Sequence, residues 1–169
     1  MSTSGISPGI DIRPAKETDL GRVVALERTV TEAPHWSEKE YSAMISQDRS
    51  AGSLIKRCLL IAEAEGRLLG FGVGKMIGTA HEGIAELETI VVDKDARRRG
   101  VGKALCEAVA AWSRQLGAPG LELEVRTGNE AAIALYTSLG FEITGCRRTY
   151  YQQPVEDALL MRLNLEKGF

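Results

Sequence analysis

The order in which strand-like and helix-like stretches follow one another constrains this chain more than any single residue does. From Cys58 to Val92 the pattern is that of strands. Turns at Glu65-Gly66-Arg67 and near His81-Glu82-Gly83 divide it into Cys58–Ala64, Leu68–Met76 and Ile84–Val92. Beyond Val92 the period changes. Gly100–Leu116 carries Val101, Ala104, Leu105, Ala108, Val109, Trp112 and Leu116 along one helical stripe, and Gly117 suits its C-terminal cap. Leu121–Arg126 then reads as a strand, Asn129–Leu139 as a helix stopped by Gly140, and Phe141–Tyr150 and Ala158–Leu165 as closing strands. Ahead of these, Gly9–Pro14 reads as a short strand. Asp19 is placed to cap a helix built on Leu20, Val23, Val24 and Leu26, and Ser37-Glu-Lys-Glu40 is a capping box opening a second short helix. The order predicts an α/β (α+β) fold with a mixed sheet: an antiparallel meander running into a β-α-β-α-β segment that makes part of the sheet parallel. Residues 1–8 read as a flexible tail and 9–169 as one domain, a size that buries a real core.

Charge and composition exclude several classes of partner. The 21 basic and 23 acidic residues leave a net charge of -2, which gives no footprint for direct nucleic-acid binding. No apolar run approaches the roughly 18 residues a membrane span needs. Cys58, Cys106 and Cys146 lack metal-ligand spacing, and His35 and His81 are far apart, so no metal site is expected. The cysteines fit packing roles in a reducing cytoplasm.

The turn between strand Ile84–Val92 and helix Gly100–Leu116 holds the chemistry. It reads Asp93-Lys-Asp-Ala-Arg97-Arg98-Arg99-Gly100-Val101-Gly102-Lys103. Glycines there allow close backbone approach where a helix N-terminus exposes unpaired N–H groups, a site for phosphate or pyrophosphate. Three arginines oppose the helix dipole unless an anion is present, and the conflict resolves if the anion is a ligand. A solvated basic turn is the alternative. Neither Gly-x-Gly-x-x-Gly nor a P-loop ending occurs at this turn.

Arg97-x-x-Gly100-x-Gly102 in this strand–turn–helix setting resembles the acetyl-CoA pyrophosphate loop of the GNAT superfamily of N-acetyltransferases. The second half narrows the likeness. Leu123-Glu124-Val125-Arg126, Asn129-Glu130 through Leu135-Tyr136, Leu139-Gly140-Phe141, Arg147-Arg148, Tyr150-Tyr151 and Glu156-Asp157-Ala158 resemble the RimI-type N-terminal acetyltransferases. Trp36-Ser37-Glu38-Lys39 also resembles that family's early helix, with His35 inserted before it. The resemblance implies a GNAT fold with a splayed parallel strand pair, acetyl-CoA as donor, no metal, and the α-amine of an alanine-starting small-subunit ribosomal protein as acceptor. It implies Glu124 as general base and Tyr136 as general acid. Asn129, the backbone of Ile90, Val91 and Val92, and the turn Arg97, Arg98, Arg99, Gly100, Val101, Gly102 and Lys103 would hold the cofactor.

The residues can be weighed against that assignment. Glu124 lies near the C-terminal end of its strand, where open α/β sheets bind ligands; a salt bridge to Arg126 is the plain alternative. Glu88, two residues before Ile90 and so expected on the same side, is a rival base or a substrate contact. Tyr136 is either a core residue or the acid, and Asn129 an N-cap, a cofactor contact, or both. Glu156 and Asp157 hold the substrate's ammonium or form a solvated turn. Tyr150 and Tyr151 line a peptide groove, one of them packing inward.

Direct attack needs no acyl-enzyme, and no cysteine sits in a nucleophile motif. Glu124 takes the amine proton, a backbone N–H at Ile90–Val92 stabilises the oxyanion, and Tyr136 protonates the thiolate. An α-amine is roughly 3–4 kcal/mol easier to deprotonate than a lysine. Lysine or small-molecule acetylation, and a non-catalytic acyl-CoA-binding module, are the competing readings.

Overall fold

The computed structural model describes residues 9–46 and 53–166; the tail expected over residues 1–8 lies outside them. Strand β3 (Arg67–Ile77) decides how the layers stack, because its two faces are unlike. Phe71 and Val73 are wholly buried on one face, while Gly70, Gly72 and Gly74 alternate with them on the other. A Cβ added at Gly70 would lie 2.6 Å from the Val91 carbonyl oxygen, at Gly72 2.9 Å from Ile90 Cδ1, and at Gly74 2.7 Å from Val109 Cγ1. Helix α3 (Val101–Gln115) therefore sits directly on the backbone of β3, with Val101, Leu105 and Val109 filling the space the absent side chains leave. Helices α1 (Leu20–Glu27) and α2 (Glu38–Ile45) cover the opposite face, packing Val23, Leu26, Tyr41 and Met44 against Leu59, Ile61, Phe71 and Val73.

The sheet has seven strands: β1 (Asp11–Pro14), β2 (Ile55–Ala64), β3, β4 (Ile84–Val92), β5 (Gly120–Arg126), β6 (Glu142–Gln152) and β7 (Val155–Asn164), in the order β1-β2-β3-β4-β5-β7-β6. Every neighbouring pair is antiparallel except β4–β5. The expected mixed sheet is thus present, and each element falls within a few residues of its expected span. Strand β7 returns between β5 and β6, so β5 and β6 run parallel without touching. Helix α4 (Glu130–Ser138) joins α3 on the same face through Ala132, Ile133 and Tyr136.

Local signals work where the chain is short-range. Ser37 Oγ accepts from the Glu40 N–H at 3.2 Å, and Glu40 accepts from the Ser37 N–H at 2.6 Å, forming the expected capping box. Asp19 departs from expectation. Its carboxylate does not cap α1 but accepts from the Lys16 N–H at 2.8 Å and pairs with Arg13 at 2.8 Å and with Arg22. Those two arginines, also shared with Glu63 on β2, outcompete the helix N-terminus because a bidentate ionic partner is stronger than one neutral N–H.

Two outcomes are expected. Gly70→Ala should lower stability by about 1–3 kcal/mol in urea unfolding, since its Cβ meets backbone rather than a flexible side chain. The hydrogen bond from Arg13, more than the Lys16 and Arg22 contacts, holds the Asp19 carboxyl well below the usual range against its desolvation. A depressed carboxyl contributes stability above its unfolded pKa, about 3.9, and loses it as pH falls toward the folded value. Asp19→Asn should therefore cost about 2–3 kcal/mol at pH 7, less than a fully buried pair because both arginines reach solvent. That cost should shrink as pH is lowered below about 4.

Candidate active site

Strands β4 and β5 pair at only two positions, Ala85↔Leu121 and Glu86↔Glu122, and then part. The edge of β4 from Leu87 to Val92 faces an opening through the sheet. The Asp93 N–H donates to the Leu69 carbonyl at 2.8 Å, so by strand alternation the Val91 N–H also points to β3. The Ile90 and Val92 N–H groups point the other way, into the opening. Of the expected span Ile90–Val92, two amides are therefore open and the middle one belongs to the sheet.

The turn after β4 is held from within. Asp93 Oδ1 accepts from the Asp95 N–H at 2.9 Å, Ala96 is buried, and Arg67 reaches Asp93 at 3.5 Å and Asp95 at 3.7 Å. Arg98 and Gly100 both take left-handed backbone, φ 62° and 80°. Arg97, Arg98, Arg99, Gly100 and Lys103 are exposed around the start of α3, and Val101 beneath them is buried. The first N–H groups of α3 thus face outward beside cations, as an anion site requires. A Cβ at Gly102 would lie 3.3 Å from Leu135 Cδ2, 3.8 Å from Val92 Cγ2 and 4.0 Å from Ile90 Cγ2. The glycine keeps a gap open between α3, α4 and the free end of β4, leading from the anion site into the opening. These residues fit a pyrophosphate with a slender arm. Arg97 also lines a separate groove of about 500 Å³ between α1 and the turn.

On β5, Leu121, Leu123 and Val125 are buried toward α3, so Glu122, Glu124 and Arg126 face the α1–α2 side. Glu122 pairs with Arg162 at 2.8 Å. Arg126 does not take Glu124. It pairs with Glu156 at 3.4 Å and covers the Tyr151 ring at 4.0 Å. Glu124 is instead met from β6 by Arg147 Nε at 3.4 Å, and its carboxylate, close to the Tyr150 phenol, raises that group, with desolvation adding to the effect. Tyr150 is exposed and Tyr151 half-buried, so one tyrosine does pack inward.

Tyr136 lies on the other face of the sheet. It stacks on Phe141 at 5.6 Å and packs against the α3 core, and among the described residues nothing hydrogen-bonds its hydroxyl. Burial pushes its phenol above the ordinary range. The same burial raises the nearby Cys106 thiol to about 12. Asn129 Oδ1 accepts from the Ala132 N–H at 3.2 Å and caps α4, leaving its amide NH₂ unused by the cap.

Three expectations change. The β3–β4 register jumps from Val73↔Thr89 to Gly74↔Leu87, leaving Glu88 as the extra residue of a bulge. Glu88 consequently points to the α1–α2 face, paired with Arg57 at 3.0 Å and Lys75 at 3.3 Å, whereas Ile90 packs toward α3; the two do not share a side. Glu156 is not a solvated turn residue: besides Arg126, it accepts from the Gly128 N–H at 2.6 Å. Asp157 accepts from the Thr149 N–H at 2.7 Å. Sequence reasoning missed Glu27, a wholly buried carboxylate that holds the α1–α2 connection through Arg28 at 2.7 Å, Tyr41 Oη at 2.8 Å and the inserted His35 at 3.0 Å. Its signal was there: a glutamate on the apolar stripe next to Leu26.

Comparison with known proteins agrees with this geometry. The model of the acetyltransferase (GNAT) family matches residues 23–141. The ribosomal protein bS18-alanine N-acetyltransferase of Salmonella typhimurium is 37% identical over 149 residues, covering 86% of this chain and 91% of that protein. The crystal structure of the ribosomal-protein-S18-alanine N-acetyltransferase from Escherichia coli superposes with a TM-score of 0.73 at 31% identity, covering 95% of this chain and 96% of the other. Arabidopsis thaliana NAA60 in complex with acetyl-CoA shares the fold, with a TM-score of 0.75 at 20% identity over 92% of this chain and 99% of that one. Gly102→Val, which fills the gap beside Leu135, should weaken acetyl-CoA binding about tenfold or more by calorimetry, while the unliganded melting temperature falls by only a few degrees.

Proposed function

The chain belongs to the acetyltransferase (GNAT) family and is an N-acetyltransferase; on that premise we propose that its acceptor is the α-amine of a protein N-terminus, an alanine-starting ribosomal protein first among them. One observation carries this reading: Glu124 and Tyr136 flank the break between β4 and β5 from opposite faces of the sheet. Acyl transfer suits such an arrangement, because the amine adds to one face of the carbonyl and loses its proton to one group, while the sulfur that leaves the tetrahedral carbon takes a proton from another.

The α3 turn and Asn129 hold the donor, and acetyl-CoA when bound supplies an activated thioester. Ile90 and Val92 present N–H groups to the thioester carbonyl oxygen. Glu124 Oε, on the α1–α2 face, receives the proton of the incoming ammonium. Tyr136 Oη, on the α3 face, donates to the sulfur. A buried phenol is a weaker acid than a free one, and burial would disfavour a free thiolate beside it as well. The transfer is thus between two groups that burial shifts in the same direction.

The acceptor side is open where α1 and α2 stop short of β5, β7 and β6. An α-amine suits a base that is half-exposed, since its deprotonation is less demanding than that of lysine. Work on a ribosomal protein would be cytoplasmic.

Peptides differing in their first residues should be acetylated at the N-terminal nitrogen, located by mass spectrometry, with alanine at the first position preferred. Acetylation confined to lysine side chains would sink the acceptor assignment. Glu124→Gln should lower kcat about 10²-fold or more with acetyl-CoA binding intact, and Tyr136→Phe should lower it about tenfold or more. An unchanged kcat in Glu124→Gln would move the base elsewhere.

A further inference from the structure

Glu124 is approached by two side chains of β6 that a regular strand could not bring to one place. Arg147 and Tyr150 are three residues apart, so strand alternation alone would point them to opposite faces. Arg147 nonetheless reaches Glu124 at 3.4 Å, and its guanidinium lies 5.5 Å over the Tyr150 ring, which brings Tyr150 to the same side. The β6–β7 ladder supplies the reason. It is paired at Arg147↔Ala158 and again at Tyr151↔Glu156. Between those pairs β6 has Arg148, Thr149 and Tyr150, while β7 has Asp157 alone. The two extra residues leave the parity of the ladder unchanged on either side, with Arg147 and Tyr151 on one face, but inside the swelling alternation is broken and Tyr150 turns toward Arg147.

Thr149 is at the crest of the swelling with φ 52°, left-handed backbone that a β-branched residue resists. Its N–H donates to Asp157 Oδ1 at 2.7 Å, and its carbonyl accepts from Gln152 Nε2 at 3.0 Å. Asp157 also ties the swelling to β5, because its own carbonyl accepts from the Thr127 N–H at 3.1 Å, three residues beyond Glu124.

We propose that Asp157 is a positioning residue for Glu124, holding the Thr149 swelling so that Tyr150 and Arg147 fix the Glu124 carboxylate at the acceptor face, and that it does not bind the substrate ammonium. The inference rests on the reading of Glu124 as the base. The acceptor-side geometry is thereby assigned to a backbone feature of β6, with its anchor on β7.

Asparagine retains Oδ1 as an acceptor and removes the charge; alanine removes both. Asp157→Asn should keep kcat and peptide KM within about threefold of the parent, whereas Asp157→Ala should lose about tenfold or more in kcat with acetyl-CoA binding unchanged. Adding Thr149→Gly, which adopts the left-handed backbone without help, should restore part of the kcat lost in Asp157→Ala. Amide exchange at Thr149 should accelerate in Asp157→Ala and stay slow in Asp157→Asn. A peptide KM raised about tenfold in Asp157→Asn, matching Asp157→Ala, would overturn the proposal in favour of ammonium binding. Failure of Thr149→Gly to restore any kcat would also overturn it. Should Asp157→Ala fail to fold, the Asp157→Asn kinetics and the double variant decide. The exchange measurement does not depend on Glu124, so slow exchange protected by Asp157 together with an unaffected Glu124→Gln enzyme would refute the base assignment alone.

Discussion

Two strands that begin as neighbours and then separate organise everything else in this molecule. Pairing of β4 with β5 stops after Glu86 and Glu122, and the consequence is an aperture lined by backbone amides in a sheet that elsewhere seals one face from the other. An intact parallel pair would satisfy the amides of Ile90 and Val92 and leave nothing to offer a carbonyl. The aperture also separates Glu124 from Tyr136, which share neither a face nor an element. Glu124 projects one way from β5, and Tyr136 comes from a helix packed on the other side.

Keeping that aperture usable demands close packing beside it. Helix α3 must start at the end of β4 and lie flat on β3, and the Gly70-Gly72-Gly74 stripe permits this by removing the side-chain layer that normally separates helix from sheet. Gly102 extends the same device to the mouth of the opening. Glycine thus performs two tasks in one region: it draws α3 down onto the strands and withholds a side chain where the donor's arm would run.

Much of the architecture was legible because it depends on short-range pattern. Gly100 and Gly117 mark both ends of α3 with left-handed backbone, φ 80° and 81°, and Ser37 with Glu40 opens α2 as their spacing indicates. What escaped depends on partners distant in sequence. The bulge at Glu88 leaves no trace in the alternation of β4 itself, since β3 determines which residue is skipped. Asp19 looks like a helix cap until Arg13 and Arg22 converge on it. Glu124 and Arg126 look like partners two apart, yet each is claimed by a residue more than twenty positions away. Charged side chains reach far enough to choose among several neighbours, and only the folded sheet says which are available.

The insertion of β7 between β5 and β6 has a bearing on the order in which the molecule becomes competent. During synthesis β6 emerges before the strand that joins it to the rest of the sheet, and until β7 arrives it has no hydrogen-bonding neighbour. The anion turn, α3 and the strands β2, β3 and β4 beneath that helix all precede β6 in the chain. The residues that would grip a donor are therefore synthesised well before those that surround Glu124, and the two halves of the opening meet only when the last strand is in place.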